Sequence, residues 1–279
     1  MDETFSSIDL VTQCLLDTER TKGFQKAIEK VVKPGDFVLD AGTGSGIMSL
    51  FAARAGAKKV YSIEVDPYVA KLASQNISNN GYKNVIKVYL KDVRNIILKN
   101  KNTFDVVIME MLTTGMVDEY QVWSINSLFQ KGYVNEKTTF IPSKQETFIT
   151  LAQTNFLDYG FNMRIVKHFW KFLPKSKINF LSKNSILNSV SFNRINEVRF
   201  KDKLVFDVTK AGVLNSIYLS SKTWLKEGLE LGDTLALNAP VVVPLKKDIE
   251  VKKGDKISLT VDYHFGNGYR NFNVKTVKL

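Results

Sequence analysis

Apolar positions in the first half of the chain recur with the periods of helices and strands. Residues 17–32 place Phe24, Ala27, Ile28 and Val31 at helical spacing, so this segment predicts a helix. Further helices are predicted at residues 47–55, 67–79 and 121–129. Short apolar runs predict strands at residues 37–39, 60–64, 85–90, 104–109 and 138–141. Strands that alternate with helices are typical of a parallel sheet with right-handed crossovers.

After Pro142 the pattern changes to short, often alternating segments separated by Gly-containing turns. Strands are predicted at residues 146–152, 204–208, 215–220, 234–237, 257–263 and 272–277. Residues 162–187 are ambiguous and compatible with a helix. The sequence therefore predicts an α/β Rossmann-like domain over residues 1–142. An all-β, barrel-like domain over residues 143–279 is expected to follow, with a possible helical arm at 162–187.

A glycine loop follows the first predicted strand, with the sequence Asp40-Ala41-Gly42-Thr43-Gly44-Ser45-Gly46-Ile47. The first two glycines let backbone N–H groups face a ligand, and the third lets the next helix pack closely. A dinucleotide fingerprint would place its third glycine at Ile47 instead. The carboxylate of Asp40 would repel phosphate but can hold an ammonium group. The loop therefore predicts S-adenosylmethionine as the cofactor, bound through Asp40, Gly42, Thr43, Gly44 and Gly46.

Two more carboxylates stand at the ends of the next predicted strands. Glu64 ends the second strand and can accept hydrogen bonds from ribose hydroxyls, while Asp92 follows the third strand and can accept one from an adenine amino group. Because ligands of open α/β sheets bind at the carboxyl ends of the strands, Asp40, Glu64 and Asp92 are expected to converge on one cofactor site.

Two glutamates flank the loop after the fourth predicted strand. Glu110 ends that strand and Glu119 follows nine residues later, a loop long enough to bring both carboxylates to one pocket. Two carboxylates in a water-poor pocket suit a guanidinium, which pairs with them in planar, bidentate geometry.

These features resemble the protein arginine N-methyltransferases, a family of class I S-adenosylmethionine-dependent methyltransferases. That family carries two glutamates at this spacing, and its first motif resembles residues 42–59 here. The resemblance covers nearly the whole chain from about Cys14. It implies that Glu110 and Glu119 hold the substrate guanidinium and that Arg20 binds the cofactor's carboxylate.

The resemblance extends into the second half of the chain. The segment Gly160-Phe161-Asn162-Met163 is similar to the entry to the family's dimerisation arm, which implies a homodimer. Trp224 falls in the family's Thr-His-Trp loop and would bind substrate. The sequence departs from the family in that loop, where Thr223 replaces the histidine, and at Met111, where an aromatic residue is usual. The family's N-terminal tyrosine motif is not visible before Asp9.

Composition leaves two alternatives for the activity. The formal net charge is +11; residues 1–150 carry about +1 of it and residues 151–279 about +10, with no Asp or Glu from 162 to 190. A basic half can attract nucleic acid, so one alternative to a protein substrate is an RNA or small-molecule acceptor. The missing histidine motivates the other, a cofactor-binding but inactive partner protein.

The remaining composition bears on compartment and metals. The single cysteine, Cys14, excludes an internal disulfide and fits a reducing compartment. His168 and His264 lack metal-ligand spacing, so no metal is expected. With no signal peptide and no apolar run of membrane-spanning length, we expect a cytoplasmic protein that contacts no membrane.

Overall fold

The computed structural model describes residues 8–101, 103–169, 178–236 and 238–279. The first half forms a five-stranded sheet in the order β3-β2-β1-β4-β5, and every neighbouring pair is parallel. Its strands are β1 (Phe37–Ala41), β2 (Lys59–Glu64), β3 (Ile86–Leu90), β4 (Val106–Met109) and β5 (Thr139–Ile141). The predicted parallel α/β unit is confirmed, with each strand within two residues of its expected position.

Within the described ranges, five α-helices accompany this sheet. They are α1 (Ile8–Leu16), α2 (Thr18–Val31), α3 (Ile47–Arg54), α4 (Pro67–Asn79) and α5 (Gln121–Gln130). Local sequence explains where two of them begin. The Asp17 side chain accepts from the backbone N–H of Arg20 at the start of α2, and the Asp66 side chain accepts from Tyr68 and Val69 at the start of α4. Helix α1 was not predicted.

The second half is built from antiparallel strands. They are β6 (Lys144–Thr154), β7 (Leu157–Asp158), β8 (Phe161–Asn162), β9 (Lys167–His168), β10 (Ile178–Phe180), β11 (Ser185–Ser191), β12 (Arg199–Asp207), β13 (Gly212–Lys226), β14 (Leu229–Leu231), β15 (Val241–Val251), β16 (Lys256–His264) and β17 (Asn273–Lys278). Seven of them form one sheet on β6 and β13, and β12, β16 and β17 form another. The predicted all-β second half is confirmed as these two antiparallel sheets beside a small β7–β8 hairpin.

At two places in this half the described residues differ from the expected elements. Residues 162–169 and 178–187 contain short strands and no helix, while residues 170–177 of the predicted arm lie outside the described residues. Strand β10 pairs with Ala152–Thr154 of β6, so the backbone N–H and C=O groups along β6 find partners there. Residues 234–236 form no strand, because their backbone amides bind elsewhere, as described below; Leu237 lies outside the described residues.

Strand β15 was missed, and Pro244 explains why. A proline within an apolar run argues against a central strand, since it cannot donate to the ladder. Here Pro244 lies opposite Ser216, beside an irregularity in the pairing of β13 with β15. The strand tolerates the proline because regular pairing is already interrupted at this point.

A shared hydrophobic core joins the two halves. One cluster of buried side chains runs from Leu39 and Val107 of the parallel sheet through Met116 to Leu219 and Tyr263 of the antiparallel sheets. A second cluster brings α2 and α3 against Leu225 and Leu231. The chain passes from β5 to β6 through residues 142–143, but no gap in packing separates the two sides. Among the described helices, none combines the length and apolar character needed to cross a membrane.

Candidate active site

A pocket opens at the carboxyl ends of strands β1 to β4. In the order β3-β2-β1-β4-β5, the strands after β1 are added first on one side of it and then on the other, so the direction of winding reverses between β1 and β4. This is the crevice in which open α/β sheets bind ligands. Nine of the predicted site residues line it: Arg20, Asp40, Gly42, Thr43, Gly44, Glu64, Asp92, Glu110 and Glu119. The structure therefore brings all the expected cofactor residues except Gly46, together with both glutamates, to one cavity, while their individual roles remain predictions.

The glycine loop has the backbone that its sequence predicts. Gly42 has φ of +75°, and a Cβ there would lie 3.2 Å from Cγ of Met111. Gly46 has φ of +85° and begins α3, but it faces Ile77 and the backbone of Ala73 on α4 and does not line the pocket. Gly46 therefore lets the start of α3 pack closely against α4 and does not contact a ligand in the pocket.

Asp40 is buried beneath the loop within a set of hydroxyl groups. Its Oδ2 accepts hydrogen bonds of 2.6 Å from both Thr43 Oγ1 and Ser49 Oγ, and Ser49 is in turn bonded to Ser62. Burial raises the pKa of the Asp40 carboxyl, and the two hydroxyl donors oppose that rise. The carboxyl group is thus fixed at the base of the pocket, where a cationic ligand group would favour its ionised form.

Glu64 is oriented by three backbone N–H groups. Its Oε2 accepts from Gly44 at 2.9 Å, and its Oε1 accepts from Val65 at 2.8 Å and from Asp66 at 3.1 Å. These bonds join the end of β2 to the glycine loop. They hold the carboxylate at the pocket wall, as the predicted binding of ribose requires.

Asp92 forms a two-point ion pair with Arg94. Arg94 Nε lies 3.1 Å from Oδ1 and 3.0 Å from Oδ2 of Asp92, and Nη2 lies 2.6 Å from Oδ2. The Asp92 carboxyl is part-buried, which would raise its pKa. The Arg94 contacts outweigh this and leave the pKa lowered. Both side chains line the pocket.

Arg20 lies between the cofactor loop and the glutamates. It is only 6% exposed, its Nη2 donates to Glu110 Oε2, and its Nη1 donates to the carbonyl of Cys14 at 3.0 Å. Its Nε is buried and has no hydrogen-bond partner among the described residues. A buried donor without an acceptor is costly, and this one suits the carboxylate of the predicted cofactor.

Glu119 differs from Glu110 because it has no cation bonded to it within the described part of the chain. It is 9% exposed and accepts no hydrogen bond from the described residues. Burial raises its pKa to about 8, and the nearby Arg20 charge opposes this only in part. The pocket therefore holds Glu110, which is already paired with Arg20, and Glu119, whose ionised form a bound cation would stabilise.

Asp17 and Thr223, the residue in place of the family's histidine, do not bond to each other. Asp17 Oδ2 accepts from the backbone N–H of Leu235 at 2.8 Å and of Ala236 at 3.4 Å, while Oδ1 caps α2 through Arg20. Thr223 is buried, and its hydroxyl bonds to none of the residues that the structure describes. The backbone N–H groups of Leu235 and Ala236 therefore use Oδ2 of Asp17 as their acceptor. The Thr223 hydroxyl does not bond to Asp17.

Trp224 lies outside the pocket. It is half-buried on β13, with Lys144 Nζ 4.4 Å and Lys222 Nζ 4.9 Å from its ring centre, whereas Thr223 and Leu225 on either side are buried. Alternation along the strand directs it to the opposite face. Its role in substrate binding remains a prediction without support from the pocket geometry.

Several pocket residues were missed by sequence reasoning. Helix α1 contributes Leu10, Val11, Cys14 and Leu15, and Val11 would lie 3.7 Å from a Cβ at Gly44. Their helical spacing was a usable signal. Lys91 and Arg94 after β3, and Tyr120 before α5, carried no such signal, because single polar residues are common in loops.

Comparisons with known proteins show similarity to methyltransferases. The ribosomal protein L11 methyltransferase (PrmA) family matches residues 18–138. An uncharacterised Methanocaldococcus jannaschii protein, MJ1452, is 33% identical over 260 residues, covering 93% of each chain. Rice (Oryza sativa subsp. indica) protein arginine N-methyltransferase 1 is 31% identical over 177 residues, which cover 59% of this chain and 45% of that enzyme.

The fold also matches solved structures. The Trypanosoma brucei PRMT1 enzyme–prozyme heterotetrameric complex with AdoHcy contains a chain that aligns with a TM-score of 0.75 and 17% identity over 96% of both chains. The fold and the site define a class I S-adenosylmethionine-dependent methyltransferase. Within that class the chain belongs to one family with the Methanocaldococcus jannaschii protein, and it resembles the protein arginine N-methyltransferases.

Proposed function

We propose that this enzyme transfers a methyl group to a guanidinium nitrogen of arginine in a protein substrate. The observation that carries the proposal is Glu119, a buried carboxylate without a bonded partner among the described residues, which lines the cofactor pocket together with Glu110. A guanidinium offers five N–H donors in a planar fork. It can bond to both glutamates and leave one nitrogen directed toward the cofactor.

The charges of the pocket support a cationic acceptor. Five carboxylates line it, against the cations of Arg20, Lys91 and Arg94, and two of these cations are already paired with Glu110 and Asp92. The five carboxylates are those of Asp40, Glu64, Asp92, Glu110 and Glu119. A guanidinium that binds in the pocket would balance the negative charge of carboxylates that lack a paired cation. Its positive charge would also favour the ionised form of Glu119.

The residues of this chain have separable tasks in such a reaction. Bound S-adenosylmethionine supplies an electrophilic methyl group on its sulfonium. Arg20 holds the carboxylate end of the cofactor and, through the same guanidinium, orients Glu110. Glu119 would hold the acceptor, favour electron density on its nitrogen and accept the proton that this nitrogen loses on methylation. Met111 and the α1 side chains Val11 and Leu15 supply apolar walls to the cavity.

Methylarginine formation tests the proposal directly. Purified protein is incubated with labelled S-adenosylmethionine and an extract of the source cells, and the protein and nucleic-acid fractions are separated. Label in protein, recovered as methylarginine after hydrolysis, is the expected result. Label only in nucleic acid, or in another amino acid, would refute arginine as the acceptor. Incorporation into neither fraction would indicate a small-molecule acceptor or an inactive partner.

The glutamate assignment has its own test. Glu119→Gln should reduce turnover on the identified substrate at least about 100-fold, since it removes charge that stabilises the reacting group. Its affinity for S-adenosylhomocysteine should change little. Glu136→Gln is the matched control, because Glu136 is an exposed carboxylate outside the pocket. Comparable turnover in Glu119→Gln and Glu136→Gln would refute the role of Glu119.

We also propose that the enzyme acts as a homodimer. The β7–β8 hairpin exposes large apolar side chains on a short element: Leu157 is 55% exposed, Tyr159 99% and Phe161 70%. Contiguous exposed apolar surface of this kind is typical of an interaction site. The heterotetrameric assembly of the Trypanosoma brucei relative supports association in proteins of this fold.

A further inference from the structure

Arg94 stands between the two ends of the active-site pocket. Its guanidinium holds Asp92 at two points, and its central carbon lies 4.0 Å from the ring centre of Tyr120. Asp92 belongs to the predicted adenine end of the pocket. Tyr120 directly follows Glu119, and all four residues line the cavity. One side chain thus contacts both the cofactor end and the segment that carries the acceptor carboxylate.

The main chain of Arg94 is anchored separately. Its carbonyl accepts a hydrogen bond of 2.8 Å from Ser127 Oγ on α5 and another from Lys131 Nζ. Its N–H donates to Asp92 Oδ1 at 2.8 Å, so the Asp92 side chain caps the 3-10 turn Val93–Asn95. With both backbone groups fixed, the guanidinium has a defined reach toward Asp92 on one side and Tyr120 on the other.

The chemistry of the contacts is specific to arginine. A planar guanidinium can pair with a carboxylate at two points and present its face to an aromatic ring at the same time, whereas an ammonium cannot. The pair also fixes the direction in which the remaining lone pairs of Asp92 face the cavity.

We infer that Arg94 is a positioning residue that orients Asp92 toward the adenine amino group and, through Tyr120, links cofactor binding to the Glu119 segment. The inference rests on the placement of adenine beside Asp92. It does not depend on the identity of the methyl acceptor, so the binding experiments below test it independently of the proposed arginine methylation.

Calorimetric titration with S-adenosylhomocysteine tests the link. Arg94→Met should weaken binding about tenfold and Tyr120→Leu about threefold, from the loss of a two-point ion pair and a cation–π contact respectively. The double variant should be no weaker than Arg94→Met alone, since the ring contact is already lost. Tyr120→Phe keeps the aromatic face and should bind as the unaltered protein does.

Arg54→Met is the matched control. Arg54 also pairs with a carboxylate, Glu29, and lies 5.3 Å from the Phe51 ring, but it does not line the pocket. Its variant should bind S-adenosylhomocysteine normally. If Arg94→Met fails to fold, Arg94→Lys keeps the charge without the two-point geometry and should give an intermediate loss.

A second measurement separates positioning from simple structural support. S-Inosylhomocysteine carries an oxygen where adenine carries its amino group, so a correctly oriented Asp92 should disfavour it. Arg94→Met should lose part of this preference, and Tyr120→Phe should retain it. Unchanged affinity in Arg94→Met, additive losses in the double variant, or an unchanged purine preference would each overturn the inference.

Discussion

At the scale of single residues, Glu119 shows how burial raises the pKa of a glutamate well above its ordinary value. The spacing of Glu110 and Glu119 predicted a shared pocket, and the structure places both there. Spacing could not predict that Arg20 pairs with Glu110 while Glu119 has no bonded cation among the described residues. That asymmetry arises from residues distant in sequence, and it leaves Glu119 as a buried carboxyl with a raised pKa.

The raised pKa of Glu119 should appear in the pH dependence of stability. Because the pKa rises from 4.5 to about 8 on folding, its contribution to stability is fully present below pH 4.5 and is lost as the pH rises through 8. Replacing Glu119 by Gln removes the titration. At pH 9 the variant should therefore be more stable than the unaltered cofactor-free protein, by at least about 1 kcal/mol.

Thermal unfolding of both proteins at pH 5 and pH 9 provides the measurement. The stability advantage of the variant should be small at pH 5 and large at pH 9. An advantage that does not change between the two pH values would show that the carboxyl group does not titrate in this range.

Asp17 is a second residue whose importance only the structure reveals. Asp17→Ala should destabilise the fold by about 2 kcal/mol, because it removes the α2 cap and leaves the buried N–H of Ala236 without an acceptor. Asp17→Asn retains an acceptor oxygen and should destabilise the fold less than Asp17→Ala does. Urea denaturation measures both variants, and equal stability of all three proteins would contradict this role.

At the scale of elements, the glycine loop depends on its backbone as much as on its side chains. Sequence predicted the loop and the strands and helices around it, because their signals are local. Helix α1 escaped prediction, although it covers the loop through Val11. In the described parts of the possible arm, residues 162–169 and 178–187, short strands form instead of a helix, since β10 pairs with the edge of β6.

Gly42→Ala tests the loop against a matched glycine. A Cβ at position 42 would be strained at φ +75° and would lie 3.2 Å from Met111. Affinity for S-adenosylhomocysteine should fall at least about tenfold, because the loop would have to shift within the pocket to relieve the strain and the contact with Met111. Gly81 has φ of +81°, and a Cβ added there would meet no atom within 4 Å, so Gly81→Ala should carry similar strain without affecting binding. Similar affinities in the two variants would contradict the role of the loop.

At the scale of the whole molecule, the pocket depends on contacts between the two halves. The loop between Glu110 and Glu119 is held by the antiparallel half: Tyr263 donates to the carbonyl of Gly115, and Thr114 donates to the carbonyl of Ala239. A continuous core surrounds these bonds. The second half therefore supports the shape of the acceptor site even though Trp224 faces away from it.

The proposed dimer gives a prediction at this scale. Replacing both Tyr159 and Phe161 with Ser should shift the protein to monomers, because it removes two largely exposed aromatic side chains from the hairpin. Light scattering after size exclusion measures the mass. Ile97→Ser is the control, since Ile97 is 91% exposed elsewhere on the surface. A double variant with the same mass as the unaltered protein would exclude the hairpin as the interface.

The sequence by itself determined the order of strands and helices in the first half, the cofactor loop and the spacing of the two glutamates. These depend on periodicity, glycine backbone freedom and chain distance, all of which are local. Tertiary structure alone decided that Arg20 neutralises Glu110, that Glu119 is left without a bonded cation among the described residues, and that the 233–236 loop occupies Asp17. Burial and the pairing of charges depend on which distant residues meet, and that is fixed only when the chain has packed.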